Sequence, residues 1–172
     1  DTNVDTSISE LTGQISGTFD VNAAGRASTD IDTNGHGTMV STVIVANKNN
    51  VGMHGVAYEA KVLSIRADTR GSCQTPRVDD EGGCSFNDTT LIAAINHAVS
   101  QGAKIINMSL GGDDGSQISP QLRAAMISAV NQGVLFTIAA GNEGAAPTGA
   151  AAAKGLNPTE PAIVASDPAL RG

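Results

Sequence analysis

The sequence predicts an α/β fold in which helices flank a parallel sheet. Short apolar segments that suit strands alternate with segments of helical periodicity, an order typical of parallel strands joined by right-handed crossovers. Hydrophobic residues make up 40% of the chain but aromatic residues only 2%, so the core must be built from Ala, Val, Ile and Leu. Aliphatic side chains of this kind favour helices packed tightly against a parallel sheet.

The first half of the chain shows one helix and one strand. Residues 36–46 are apolar nearly all round, which predicts a helix buried against a sheet. Residues 61–67 form a short apolar segment bounded by breakers, which predicts a strand. The polar residues 68–87 indicate an inserted loop that holds both cysteines.

The second half repeats the helix and the strand twice. Strands are predicted over 104–109 and 134–140, each directly after a helix, and a further short strand over 162–165. Both helices are bounded by residues that favour helix starts and ends. These are Asp88 or Thr89 with Gly102 for the first helix, and Ser119 and Pro120 with Gly133 for the second.

Length, charge and composition limit the classes of protein and partner. A chain of 172 residues predicts a single domain. The net charge of -7 and the absence of any long basic cluster exclude nucleic acid as a partner. No segment approaches the roughly 18 apolar residues that a membrane span requires. The chain begins without methionine, so we expect a processed or truncated protein from which any export signal has been removed. The expected location is secreted, extracellular or at the cell surface.

Cys73 and Cys84 lie in the polar loop, separated by a stretch rich in Gly, Asp and Pro. In an oxidising compartment they would form a disulfide worth about 3 kcal/mol by the chain-entropy model. Two free thiols are the alternative in a reducing compartment. Two cysteines alone make a poor metal site, so a structural metal is not predicted here.

His36 stands between two glycines in the Asn-Gly-His-Gly-Thr motif at 34–38, at the head of the first predicted helix. Backbone segments approach closely at such a site, and the imidazole can project into a cleft. The motif is consistent with a general base, and a structural histidine is the alternative.

Two glycine turns follow predicted strands. At 139–144 the sequence Ala-Ala-Gly-Asn-Glu-Gly presents Asn142, whose amide could donate to an oxyanion, an interaction worth roughly 3 kcal/mol. The alternative is an ordinary turn asparagine. At 107–112 the sequence Asn-Met-Ser-Leu-Gly-Gly leaves backbone groups with which an extended peptide could pair.

Together, these three motifs and their order resemble the subtilases, the subtilisin-like serine peptidases. The resemblance covers about residues 1–144 and includes Gly-Met-His-Gly-Val-Ala at 52–57, which is similar to the family's turn after the histidine helix. It implies a subtilisin-like parallel sheet, incomplete on its C-terminal side. It also implies a secreted endopeptidase that cleaves peptide or protein substrates by a Ser-His-Asp mechanism without a required cofactor.

The resemblance implies that Asp1 is the catalytic acid, because the N-terminal Asp-Thr-Asn is similar to the family's Asp-Ser/Thr-Gly motif. Asn3 occupies the usual glycine position. Asp30 and Asp32 are nearer to His36 in sequence and are the alternative acids. In the family mechanism the acid fixes the histidine tautomer and the histidine moves the proton.

The resemblance further assigns Asn142 to the oxyanion, and two segments to the pocket for the residue before the scissile bond. The pocket residues are Ser109, Leu110, Gly111, Ala139, Ala140 and Gly141. The family's Gly-Thr-Ser-Met-Ala motif does not occur in the sequence, so we expect residues 1–172 to form a partial peptidase domain that is inactive alone. Such a chain should bind the remainder of its parent domain or associate with itself.

The resemblance also points to candidate ligands for calcium. Glu10, Asn47 and Asn49 match ligand-bearing positions of the family, and oxygen ligands suit calcium.

A noncatalytic peptide-binding module on the same fold is the competing function, although a binder needs neither His36 nor Asn142. Nucleotide binding is excluded because no Gly-x-Gly-x-x-Gly segment follows a strand and opens a helix.

Overall fold

The computed structural model describes residues 1–26, 28, 35–74, 84–111 and 118–139. The chain divides into two compact units, Asp1–Ala94 and Ile95–Gly172, and the described part of each holds one pair of parallel strands. Helices and parallel strands alternate as the sequence predicts, which confirms the α/β class. The assignment of residues 1–172 to one partial domain stays a prediction.

The first unit is built on β1 (Ile15–Asp20) and β2 (Val62–Arg66), which pair in parallel. In this register Phe19 lies opposite Ile65 and Asp20 lies opposite Arg66, so both strands end at the same edge. Strand β1 was not predicted from the sequence. Its side chains are half-buried or exposed, so the segment lacks the apolar run by which β2 was recognised.

Helix α1 (His36–Val45) connects these strands and follows Gly35, whose φ of 66° is left-handed. Its buried residues recur every fourth position, at Gly37, Ser41 and Val45, so one face is covered. Met39 and Val43 are exposed, unlike the burial on all sides that the sequence predicts. Self-association through such exposed apolar residues stays a prediction.

Helix α2 (Asp88–Ser100) begins in the first unit and ends in the second. The second unit continues with β3 (Ile105–Met108), α3 (Pro120–Asn131) and β4 (Leu135–Ile138). Strands β3 and β4 pair in parallel over their full lengths. At α2 the predicted cap, Asp88 or Thr89, is wrong, because Asp88 is already helical and Asn87 Oδ1 accepts from Thr90 N at 3.0 Å. At α3 the predicted cap is confirmed, because the Ser119 side chain accepts a hydrogen bond from Leu122 N. Two positive-φ glycines follow the helices, as predicted. These glycines are Gly102 and Gly133.

The predicted loop after β2 is closed at its base. Cys73 and Cys84 form a disulfide, and Asp68 pairs with Phe86 in an antiparallel bridge. The predicted strand at 162–165 lies outside the described residues. Within the described part of the chain, no helix is both long enough and apolar enough to cross a membrane.

Candidate active site

The backbone of Asp1 lies along one edge of β2. Its amine donates to the carbonyl of Ile65 at 3.3 Å, and the amide of Ala67 donates to its carbonyl at 2.9 Å. The residue between them, Arg66, accepts from Val21 N, just after β1. Because backbone groups alternate in direction along a strand, Asp1 lies on the edge of β2 opposite β1.

His36 is the first residue of α1, and its ring meets the Asp1 carboxylate. Nδ1 of His36 lies 2.8 Å from Oδ1 of Asp1, although the two residues are 35 positions apart. Thr2 N donates to the same oxygen at 2.7 Å. The His36 side chain is 46% exposed and that of Asp1 only 18%, so the ring is accessible while the carboxylate is largely covered. A carboxylate at Nδ1 keeps the proton on that nitrogen in the neutral ring, and Nε2 is then the basic nitrogen.

A pair of threonine contacts holds the N-terminal segment against the start of α1. Gly37 N donates to Thr2 Oγ1 at 2.9 Å, and Asp5 N donates to Thr38 Oγ1 at 2.8 Å. The segments approach so closely at Gly37 that a Cβ there would lie 2.6 Å from the carbonyl oxygen of Thr2. The glycine after the histidine is therefore required by the contact that brings Asp1 to His36.

The predicted pocket residues that the structure describes lie in the second unit, at the carboxyl ends of β3 and β4. Ser109 and the next two residues follow β3, and Ala139 follows β4, with its amide donating to Met108 O at 3.1 Å. Because β3 and β4 pair in parallel, Ser109 and Ala139 lie at the same carboxyl edge of this strand pair. Ala140, Gly141 and Asn142 lie outside the described residues, as do Asp30 and Asp32.

Comparison with known proteins shows the family of this chain. The profile of the Subtilase family matches residues 1–164. The chain belongs to the subtilase family. This finding confirms the resemblance that the histidine, glycine-turn and asparagine motifs carry.

This subtilase chain is similar to proteases from different locations. It is 40% identical over 143 residues to the major intracellular serine protease of Bacillus subtilis (strain 168), covering 82% of the chain and 40% of that relative. It is 35% identical over 115 residues to the cell wall-associated protease of the same organism, covering 65% and 11%.

Among solved structures, it resembles fervidolysin from Fervidobacterium pennivorans, a keratinolytic enzyme related to subtilisin. The TM-score is 0.63 at 31% identity, over 82% of this chain and 20% of fervidolysin. The subtilase chain thus spans less than half the length of each of these three relatives.

Two polar side chains hold the Ser109 hydroxyl in place in this subtilase, one directly and one through the other. Neither was predicted from the sequence to have a role. Asn107 Nδ2 donates to Ser109 Oγ at 2.9 Å, and Thr137 Oγ1 donates to Asn107 Oδ1 at 2.9 Å. Asn107 and Thr137 are register partners on adjacent strands. Only the strand register shows that they meet, so the sequence holds no signal for this pair.

The predicted calcium ligands make hydrogen bonds to other groups of the protein. Asn47 Nδ2 donates to the carbonyls of Ser9 and Thr12, and Asn49 Oδ1 accepts from Val51 N. Glu10 is the only carboxylate of the predicted set. Among the described residues, no group of three His, Cys, Asp or Glu side chains could hold a metal. The chemistry proposed below therefore does not use calcium, and calcium binding stays a prediction.

When residues 1–172 are prepared as a separate chain, the buried amine of Asp1 makes the stability of that chain depend on pH. Desolvation lowers the pKa of the Asp1 amine from 8.0 to about 6, and the Asp68 carboxylate opposes this shift. The unfolded chain therefore binds more protons between those values, so the free energy of unfolding should rise from pH 6 to pH 8. Two pKa units correspond to about 3 kcal/mol over the whole titration, of which about 2 kcal/mol falls between pH 6 and pH 8.

Urea denaturation at both pH values measures this difference, with the same chain acetylated at its N-terminus as the control. Acetylation removes the titrating amine, so the acetylated chain should show a smaller rise across this window. An equal rise in both chains would contradict the assignment.

Proposed function

We propose that this chain carries the acid and the base of a serine endopeptidase that hydrolyses peptide bonds. The observation that supports the proposal is the 2.8 Å contact between Asp1 Oδ1 and His36 Nδ1, with the ring of His36 accessible. We propose further that the nucleophilic serine lies in sequence beyond these 172 residues. The activity would then belong to a longer protein, and this chain alone would be inactive.

In the proposed mechanism, His36 Nε2 takes the proton of the serine hydroxyl as the serine oxygen attacks the carbonyl carbon of the substrate. The same nitrogen then gives that proton to the leaving amine. The Asp1 carboxylate holds the Nδ1 proton and stabilises the imidazolium that forms between the two steps. The side chain of Asn142 would donate to the oxyanion of the tetrahedral intermediate.

Substrate binding is assigned to the carboxyl edge of β3 and β4. The backbone of 109–111 would pair with an extended peptide, and 139–141 would form the second wall of the pocket for the residue before the scissile bond. The polar contacts of Asn107 with Ser109 and Thr137 hold this edge in place. The expected partner is therefore an extended segment of a peptide or protein.

We propose an extracellular or cell-surface location for the parent protein. The relatives are named both as intracellular and as cell wall-associated proteases, so they do not decide the location. The disulfide between Cys73 and Cys84 supports the proposal, because structural disulfides persist mainly in oxidising compartments.

Hydrolysis of a fluorogenic peptide tests the proposed function. The 172-residue chain should show no turnover, whereas the longer protein that contains it should cleave the peptide and react with a fluorophosphonate that labels active serines. His36→Ala should abolish cleavage by the longer protein, and His54→Ala, which changes an exposed loop histidine, should not. Turnover by the isolated chain that persists in His36→Ala would contradict the proposal. A longer protein that binds peptides without cleaving them would favour the binding module.

A further inference from the structure

Among the described residues, four charged side chains form a cluster at the carboxyl ends of β1 and β2, and none of them has a role in the proposed chemistry. Its members are Asp20, Arg26, Arg66 and Asp68. The Asp68 side chain is 0% exposed, and those of Arg26 and Arg66 are 6% and 10% exposed. Two positive and two negative charges balance in this cluster, which is the condition under which charged groups are tolerated in an interior.

Asp68 is held through both its side chain and its backbone. Arg66 donates to both carboxylate oxygens, from Nε at 2.7 Å and from Nη2 at 3.0 Å. Arg26 Nη1 donates to Oδ2 at 2.8 Å, and Arg26 Nη2 donates to the Asp68 carbonyl at 3.0 Å. Asn22 Nδ2 donates to the same carbonyl at 2.8 Å. Asp68 is therefore held by Asn22 and Arg26, from the segment after β1, as well as by Arg66 at the end of β2.

The residues beside Asp68 hold the proposed catalytic acid. Ala67, its immediate neighbour, is buried, and its amide donates to the Asp1 carbonyl at 2.9 Å. Ile65 accepts the second backbone contact of Asp1 at 3.3 Å. The position of the Asp1 carboxylate against His36 thus depends on a short backbone segment whose far end is fixed by Asp68.

We infer that Asp68 is a positioning residue for the pair of Asp1 and His36. Its carboxylate is held between two arginines and fixes the backbone of 66–68. Because the Ala67 amide donates to the Asp1 carbonyl, the fixed backbone also holds Asp1 in place. Asp68 has no direct contact with His36 in this scheme. The inference rests on the proposed role of Asp1 and His36, and it assigns a function to a charged cluster that the proposed chemistry does not itself use.

Asp20 offers a matched control within the same cluster. It accepts from Arg26 Nε at 2.6 Å and from Arg26 Nη2 at 3.0 Å, so it shares an arginine with Asp68. It lies on β1, across β2 from Asp1, and no backbone contact links its neighbours to Asp1 among the described residues. Asp68→Asn and Asp20→Asn therefore remove the same charge and the same kind of group, but only the first removes a carboxylate that is bound to Arg66, within the segment that holds Asp1.

Nitrogen NMR of the 172-residue chain labelled with ¹⁵N-histidine tests the inference, because the ring shifts report which nitrogen of His36 carries the proton. The unchanged chain should show the Nδ1-protonated form of neutral His36. In Asp68→Asn this form should lose more than half of its population to the Nε2-protonated form. Asp20→Asn should retain it. An unchanged tautomer in Asp68→Asn, or an equal change in both variants, would overturn the inference.

A second variant tests the inference if Asp68→Asn does not fold, which circular dichroism would detect. Arg66→Lys keeps the positive charge but cannot contact both carboxylate oxygens with a planar fork, so it should shift the tautomer in the same direction by less. An unchanged tautomer in this variant would equally overturn the inference. If the unchanged chain lacks the Nδ1-protonated form, the contact between Asp1 and His36 itself is refuted, which is a failure of the proposed function rather than of the role of Asp68.

Discussion

Asp1→Asn in the longer, serine-containing protein is expected to lower kcat by about 10⁴-fold, with KM little changed. An asparagine can present its NH2 group to Nδ1 of His36, so the neutral ring would then carry its proton on Nε2. A protonated Nε2 cannot accept the proton of the serine hydroxyl. The loss should fall on kcat because Asp1 acts on the reacting proton and not on substrate binding.

The control for this prediction is Asp5→Asn, which makes the same change in the same N-terminal segment. The Asp5 carboxylate is exposed and accepts only from Ser7 N and Ser7 Oγ among the contacts described, so its loss should leave kcat within about twofold, as for other exposed sites. Steady-state kinetics on one peptide substrate would measure both variants. Full activity in Asp1→Asn would contradict the assignment and direct attention to Asp30 and Asp32, the alternative acids.

Gly37→Ala is expected to lower the free energy of unfolding by about 3 kcal/mol, the upper range for overpacking a close contact. In an exposed helix interior the same change would stabilise by up to about 1 kcal/mol through helix propensity. Here the new Cβ would lie 2.6 Å from the carbonyl oxygen of Thr2 and 2.8 Å from that of Asn3. Both neighbours are backbone atoms, so the N-terminal segment must move away from α1, and Asp1 moves with it.

Thermal unfolding of the 172-residue chain would measure this effect, with an expected fall in Tm of roughly 6 to 12 °C. Met39→Ala is the control, because it introduces the same residue into the exposed face of the same helix and should change Tm little. The low-field proton signal of a hydrogen-bonded His36 Nδ1 should also disappear in Gly37→Ala. Unchanged stability together with a retained signal would contradict the close-approach argument.

The helices and most strands could be predicted because their signals are local. In α3, Ser119 caps the first turn and Leu122, Met126 and Ala129 are buried at helical spacing, so both the ends and the covered face follow from the sequence. Strands β3 and β4 were placed within two residues of their observed ends because each follows a helix that ends at a glycine. Signals of this kind depend on a few neighbouring residues and not on distant contacts.

Two features could not be predicted because they depend on distant partners. Strand β1 is recognised by its pairing with β2 and not by an apolar run, since its residues alternate between half-buried and exposed. Asp68 was interpreted as the start of a polar loop, yet its side chain is fully buried. A carboxylate tolerates that environment only with partners, and one of them, Arg26, is 42 positions away in the sequence.

By itself, the sequence determined the family, because the motifs around His36, Ser109 and Asn142 combine in an order typical of the subtilases. The tertiary structure alone decided that Asp1 and His36 meet at 2.8 Å. Backbone pairing with β2 places Asp1, and the absence of a side chain at Gly37 lets α1 approach it. Motifs specify residue types, whereas distances between residues 35 positions apart are set by strand pairing and close packing.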